Sequence, residues 1–265
     1  MRFRNLPVLG SILLATASPV AKGAITVTKD SGDFGYLYEM STNPSGQDLD
    51  GNSTGDWFNA TANGLTIPQT YSGGVAVSNQ SAGTPETLFR TDYGGSITRN
   101  TLANANSPWT VEVSVRKTGG TQGADGWFGV AMQNPGASQS VRVNFEDDRV
   151  SYRTSPTNTD YLLGINFADG EFHTMRIAYE GSDSYFVWID DTLLNTDLST
   201  GFAGGNGSFN TGGSWFMGDF SGGIAGDWEV DYIRYDAGTA AAPVPEPGII
   251  LLGAIGVLAL LRRRR

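Results

Sequence analysis

Carboxylates two residues apart on an extended strand share one face, and Glu229-Val230-Asp231 is such a pair. Two carboxylates facing one substrate are the equipment for cleaving a glycosidic bond, at about 5 Å separation when configuration is retained. The same groups also serve structure, as hydrogen-bond acceptors or as partners of Arg234 or another cation. His173 is the only histidine. It lies in an alternating run beside a turn, where a lone imidazole more often packs or hydrogen-bonds than catalyses. There is no cysteine, no histidine cluster and no serine elbow joining a strand to a helix. Thiol, zinc and serine-nucleophile chemistry therefore have nothing to work with.

Binding chemistry has more candidates. Asp48-Leu49-Asp50-Gly51-Asn52, with Asp56 beyond, sets alternate oxygen side chains around a glycine turn, which is how a loop wraps calcium. It is not an EF-hand loop, because the twelfth position is Asn59 and not Glu. The competing reading is a polar turn of Asx residues. Of the tryptophans Trp57, Trp109, Trp127, Trp188, Trp215 and Trp228, most are expected in a core, since large rings fill the space between sheets. Trp127 follows the polar, glycine-rich stretch 119–126 and, with Trp228 and Tyr232, is the candidate platform for stacking on a sugar ring.

Strands must position these groups. Thr110 to Val115 alternates with its valines on one face, and Val141, Val143 and Phe145 repeat the pattern. Asp147-Asp148 then turns the chain into Val150 to Arg153, predicting a hairpin. A second hairpin runs from His173 to Tyr179, through 180–183, into Tyr185 to Ile189, which Asp190-Asp191 closes. No long amphipathic helix is present, and 41–87 reads as short strands joined by long loops. Many short strands without helices predict an all-β, two-sheet jelly-roll sandwich over residues 25–236. Asp33 to Met40 is its expected first strand.

The order Phe172 to Tyr179, Phe186 to Asp191, Met217 to Asp219 and Trp228 to Tyr235 resembles concanavalin A-like or laminin-G-like domains. That resemblance implies a jelly roll. It also sets a test for catalysis, because glycoside hydrolases on this fold carry Glu-x-Asp-x-Glu on one strand. Here the third position is Ile233, so a catalytic reading needs a carboxylate from a distant strand, such as Glu112 or Glu146.

The two ends read differently from the body. Arg2 and Arg4 followed by the apolar stretch Leu6 to Ala17 and small residues up to Ala24 form a secretory signal peptide, expected over 1–24. At the other end come Pro245-Glu246-Pro247, an apolar run to Leu261, and Arg262, Arg263, Arg264 and Arg265. This tail resembles the PEP-CTERM sorting signal of Gram-negative bacteria, over residues 245–265. The resemblance implies an exosortase-type enzyme that processes the chain near the Pro-Glu-Pro and passes the body to the surface. Gly248 to Leu261 as a helix would reach about 21 Å, short of the ~30 Å bilayer core, which fits a transient inner-membrane anchor. Residues 237–244, small and apolar-poor, are expected to be a flexible linker.

Seven of the seventeen basic residues lie in the two ends, leaving ten against twenty-six acids and a body charge near −16. Such a surface repels nucleic acid and anionic lipid and can attract divalent cations such as calcium. The sequence thus predicts an exported, exosortase-processed protein of the cell surface or extracellular matrix, with a non-catalytic sandwich that binds extracellular polysaccharide. A glycosidase-like enzyme on the same scaffold and a ligand-free matrix subunit are the alternatives.

Overall fold

The computed structural model describes residues 25–43, 47–49, 70–78, 87–90, 108–122, 126–133, 139–154, 157–181, 184–206, 215–219 and 226–244. In chain order its strands are β1 (Val27–Lys29), β2 (Tyr36–Glu39), β3 (Thr70–Ser72), β4 (Val75–Val77), β5 (Thr87–Arg90) and β6 (Trp109–Lys117). Next come β7 (Phe128–Gln133), β8 (Gln139–Phe145), β9 (Val150–Thr154), β10 (Thr157–Tyr161), β11 (His173–Gly181) and β12 (Ser184–Ile189). The last are β13 (Thr192–Leu193), β14 (Phe202–Ala203), β15 (Gly205–Asn206), β16 (Trp215–Gly218), β17 (Trp228–Ala237) and β18 (Ala241–Pro243). A single 3-10 turn, Ser31–Asp33, is the one helical element among the described residues.

Two sheets form the all-β, jelly-roll sandwich that the alternation predicts. One runs β10-β9-β8-β7-β16-β5, and the other β13-β12-β11-β6-β17-β4-β3, with β2 also paired to β17. Both expected hairpins are present: β8 pairs β9 antiparallel across the Asp147-Asp148 turn, and β11 pairs β12. Core-facing positions follow the period of two. Trp109, Val111, Val113 and Val115 of β6 meet Val141, Val143 and Phe145 of β8 within one buried cluster that includes Met175, Ile177, Val230 and Ile233.

The half-buried strand expected at Thr110 to Val115 is a strand, but its polar face is buried as well. Thr110, Glu112 and Ser114 are all closed off from solvent. The cover is a third layer made from the two ends of the body. β1 pairs β18 in parallel, with Val27 opposite Ala241 and Lys29 opposite Pro243. Beneath this ribbon Ile25 and Ala242 pack on Ala178, Phe186 and Trp188 in a second, smaller apolar cluster. Thr110 latches the ribbon: its hydroxyl donates to Thr239 O and accepts from Ala241 N, both at 2.8 Å.

Two sequence expectations are corrected here. The first strand is β1 and not Asp33 to Met40, where the chain makes the 3-10 turn before entering β2. The flexible linker 237–244 is part of the body: β17 continues through Ala237, and β18 is buried along its length. Alanine runs look like tether because they bury little area per residue. A covered polar face next to them accepts that small contribution, since an alanine strand fits where larger side chains would not.

A body truncated after Asp236, the boundary composition indicates, loses β18 and uncovers Phe186, Trp188 and Thr110. It is expected to melt lower than a body ending at Val244 by about 2 kcal/mol, roughly 4–8 °C in Tm. Equal melting temperatures would show that the third layer contributes nothing.

Candidate functional site

The alternation that buries the sandwich's core ends, on two neighbouring strands, in ionisable residues. Lys117 continues the stripe Trp109 to Val115, and His173 begins the stripe that Met175, Ile177 and Tyr179 complete. In register Lys117 lies opposite Trp228, and His173 opposite Val115, so both reach into one end of the space between the sheets. Each cation is matched to acids brought by turns. Lys117 Nζ donates to Asp147 Oδ1 at 2.6 Å, tying β6 to the β8–β9 hairpin of the opposite sheet. His173 Nδ1 lies 2.7 Å from Asp190 Oδ2, and Nε2 lies 3.3 Å from Asp169 Oδ1.

A neutral imidazole carries one N–H and can donate to only one carboxylate. Two carboxylates on the two ring nitrogens therefore favour the imidazolium, and the Asp190 hydrogen bond, with Asp169 adding to it, raises the His173 pKa above its ordinary value against the opposing effect of burial. The ring packs edge-on against Phe167 with centroids 4.9 Å apart. Asp190 also accepts from Thr174 N at 2.7 Å. It holds this position with φ 45°, and Asp191 follows at φ 61°, the left-handed pair that a two-residue turn between β12 and β13 requires.

Beside these pairs lies an open cleft of about 460 Å³ lined by Lys117, Thr118, Gly119, Gly120, Ala168, Asp169 and Gly170. Its floor is fixed by close backbone packing. Thr118 N donates to Asp227 O at 2.8 Å, and Asp227 N returns a bond to Gly119 O at 2.9 Å. A Cβ on Gly120 would come within 2.8 Å of Gly226 Cα, so glycine is needed there for steric reasons as well as for its φ of 72°. Further along the same loop Gln122 accepts from Asp147 N at 2.5 Å and donates to Glu146 at 3.2 Å.

The sequence-derived platforms lie elsewhere. Trp127 and Trp228 are fully buried, and this corrects their assignment as sugar-stacking rings. Trp127 stacks on Phe145 at 5.5 Å, and Trp228 meets Phe128 edge-on at 5.4 Å, because the space between the sheets is where such rings bury most area. The loop before Trp127 does reach the cleft, but through Gly119 and Gly120 and not through the indole. Tyr232 is also committed to structure. Its hydroxyl donates to Glu112 Oε1 at 3.0 Å, one ring face is covered by the Arg234 guanidinium at 3.6 Å, and burial pushes its pKa up.

A bulge follows the paired carboxylates. In the ladder with β6, Val230 pairs with Val115 and Tyr232 with Ser114, so Asp231 is the extra residue and the alternation resets after it. Glu229 is held by Arg116, whose Nε donates to Oε2 at 2.7 Å, and that guanidinium lies over Phe172. Glu112, the distant carboxylate that catalysis would recruit, accepts from Arg176 Nε at 2.7 Å, lies 4.0 Å from Arg234, and is enclosed under the third layer. Glu146 accepts from Gln122 at 3.2 Å and lies 3.5 Å from Arg149.

Of the proposed calcium ligands, Asp48 is exposed, and Asp50, Asn52 and Asp56 lie outside the described residues. So do the sorting residues Pro245, Glu246, Pro247 and Arg262 to Arg265. Among the described residues no three His, Asp or Glu side chains gather as a metal site. No described helix is long and apolar enough to cross a membrane, and the run Gly248 to Leu261 is not among them. The Lys117 and His173 pairs were missed in the sequence because each cation is matched by carboxylates distant in the chain or across a turn. The available signal was an ionisable residue in an otherwise apolar core stripe.

The two glutamates should differ in how much stability their neutralisation costs. Glu112→Gln leaves the enclosed Arg176 short of its counter-charge and is expected to cost about 3–5 kcal/mol in denaturant unfolding, whereas Glu229→Gln, with a partly exposed partner, costs less than about 1 kcal/mol. Similar losses for both would contradict the enclosure of Glu112. His173 gives a pH signature. Its folded pKa is raised, so its contribution is complete below the unfolded value of about 6.5 and disappears as pH rises through the folded value. The stability gap between wild type and His173→Gln should be widest at pH 6 or below on that reference scale and should close towards pH 9. A gap that widens with pH would refute the two-carboxylate clamp.

Comparison with known proteins adds the following. No curated protein matches the chain. Among solved structures it is similar to a Bacillus licheniformis β-glucanase, at 14% identity and a TM-score of 0.41 over 76% of this chain and 97% of that one. It is also similar to the carbohydrate-binding module CBM66 from Bacillus subtilis, at 11% identity and a TM-score of 0.33 over 59% and 94% of the two chains. Domains LG4-5 of the mouse laminin alpha1 chain align at 15% identity and a TM-score of 0.32, over 52% of this chain and 37% of that one. The pattern of the PEP-CTERM protein-sorting motif matches residues 243–265, starting at the last residue of β18. The chain carries a PEP-CTERM sorting signal, the mark of an exported substrate of an exosortase.

Proposed function

We propose that this is a cell-surface or extracellular-matrix protein whose sandwich binds extracellular polysaccharide without cleaving it. The observation that carries the reading is the polar cleft at the sandwich end, rigidly floored by the Thr118–Asp227 backbone pair and edged by Lys117 and Asp169. Oriented amide, ammonium and carboxylate groups suit the hydroxyls of a sugar, each a donor and an acceptor. Recognition then comes from polar groups and not from stacked rings. Absence of cleavage is supported by the state of the carboxylates: Glu229 and Glu112 are each neutralised by an arginine.

A second reading, a matrix subunit with no ligand, draws on one observation: Trp109, Trp127, Trp188 and Trp228 are all buried. The two readings separate on a binding assay. Residues 25–244, presented to a glycan array and to soluble polysaccharides with calcium and with chelator, should bind saturably and release no shorter sugar. Asp169→Asn should weaken that binding about tenfold, the loss of one charge-assisted hydrogen bond. Release of product would establish an enzyme. Failure to bind any sugar would leave the matrix-subunit reading.

A further inference from the structure

Strand β18 stands under two demands at once. It covers Thr110 and the second apolar cluster, and its last residue, Pro243, is the first residue of the matched sorting motif. Only residues 244–248 separate it from Ile249, where the tail's apolar run begins. Fully extended, that stretch reaches about 17 Å at about 3.3 Å per residue. An enzyme at the membrane that takes Pro245-Glu246-Pro247 into its cleft needs extended chain on both sides. With β18 docked, the free chain on the N-terminal side is Val244 alone.

The strand is lightly held. Its ribbon pairing with β1 spans three residues, its side chains are small, and its latch is the one hydroxyl of Thr110. By contrast β17, just before it, pairs along nine positions with β6. Between the two lies Gly238, at φ 80° with open space where a Cβ would be, a turn that can unwind without dislodging a neighbour. Elements with few apolar contacts open locally long before the domain unfolds.

We infer that β18 is a detachable strand, docked on β1 and Thr110 at rest and peeled back to Gly238 when the processing enzyme takes the tail. Peeling frees residues 239–243 and adds about 17 Å of chain. Opening of β18 then limits the rate of processing. This rests on the tail being an exosortase substrate, and the test separates the two claims.

Thr28 and Ala242 are register partners, and directly opposed strand positions, about 4.8 Å apart, suit a disulfide. In a cysteine-free chain, Thr28→Cys with Ala242→Cys gives one crosslink that fixes β18 on β1. The full-length protein is followed in exporting cells by pulse-chase, reading conversion to the shortened form with and without reductant. The oxidised double variant should convert at least about tenfold more slowly, the reduced form at the wild-type rate, and Thr110→Val, which lacks the latch, faster than wild type. Conversion of the oxidised form at the wild-type rate would overturn the inference while leaving the exosortase reading intact. A wild-type chain that is never shortened would remove both.

Discussion

The central strand β6 is buried on both faces, and most of the structure follows from that constraint. An antiparallel sheet in a sandwich ordinarily leaves its outer face to water, so polar side chains there need no protein partner. Here the outer face of β6 carries Thr110, Glu112 and Ser114 beneath a third layer, and each must be satisfied internally. Glu112 is answered by Arg176 from β11 and Tyr232 from β17. Arg176 in turn donates to Lys29 O in β1, and Lys29 forms an ion pair with Asp236 at the end of β17. The carboxylate thus organises three adjacent strands and the cover over them. An apolar substitute would avoid the desolvation cost of the ion pair but would not specify which segment lies on top.

The same constraint determines how the ends of the body are used. β1 and β18 come from opposite ends of the described chain, and the ribbon they form is the cover. The sorting motif therefore begins on a strand whose neighbour in space comes from the opposite end of the described chain. The exported body is complete only when both ends are in place, and the sorting motif abuts folded structure without an intervening tether.

Much of the fold was legible in the sequence. Alternation located β6, β8, β9, β11 and β12, because the core-facing stripe of each is mostly apolar and period two is a strong signal over five or more residues, while β17 was placed by the resemblance to concanavalin A-like domains. β1 and β18 were not legible. Three-residue strands carry no periodicity, and an alanine run looks the same whether it is tether or cover. The site was legible only in part. Rings such as Trp127 announce their size and not their direction, and the half-turn of phase that put it in the core is set by its pairing partners. The bulge at Asp231 left no trace in residue types, though it resets which residues of β17 face the core after it. Lys117 and His173, at the ends of apolar stripes, were the visible anomaly, and their acidic partners become apparent only once the hairpins are closed.

The claim on which the account turns is that residues 238–244 belong to the folded body as cover for β6. Hydrogen–deuterium exchange of residues 25–244 at neutral pH tests it at single residues. The account predicts that the Ala241 amide, bonded to Thr110 Oγ1, exchanges far more slowly than an unstructured chain, yet faster than the amides of β6. Exchange of Ala241 at the free-chain rate would contradict it, restoring the linker and leaving the outer face of β6 without its cover.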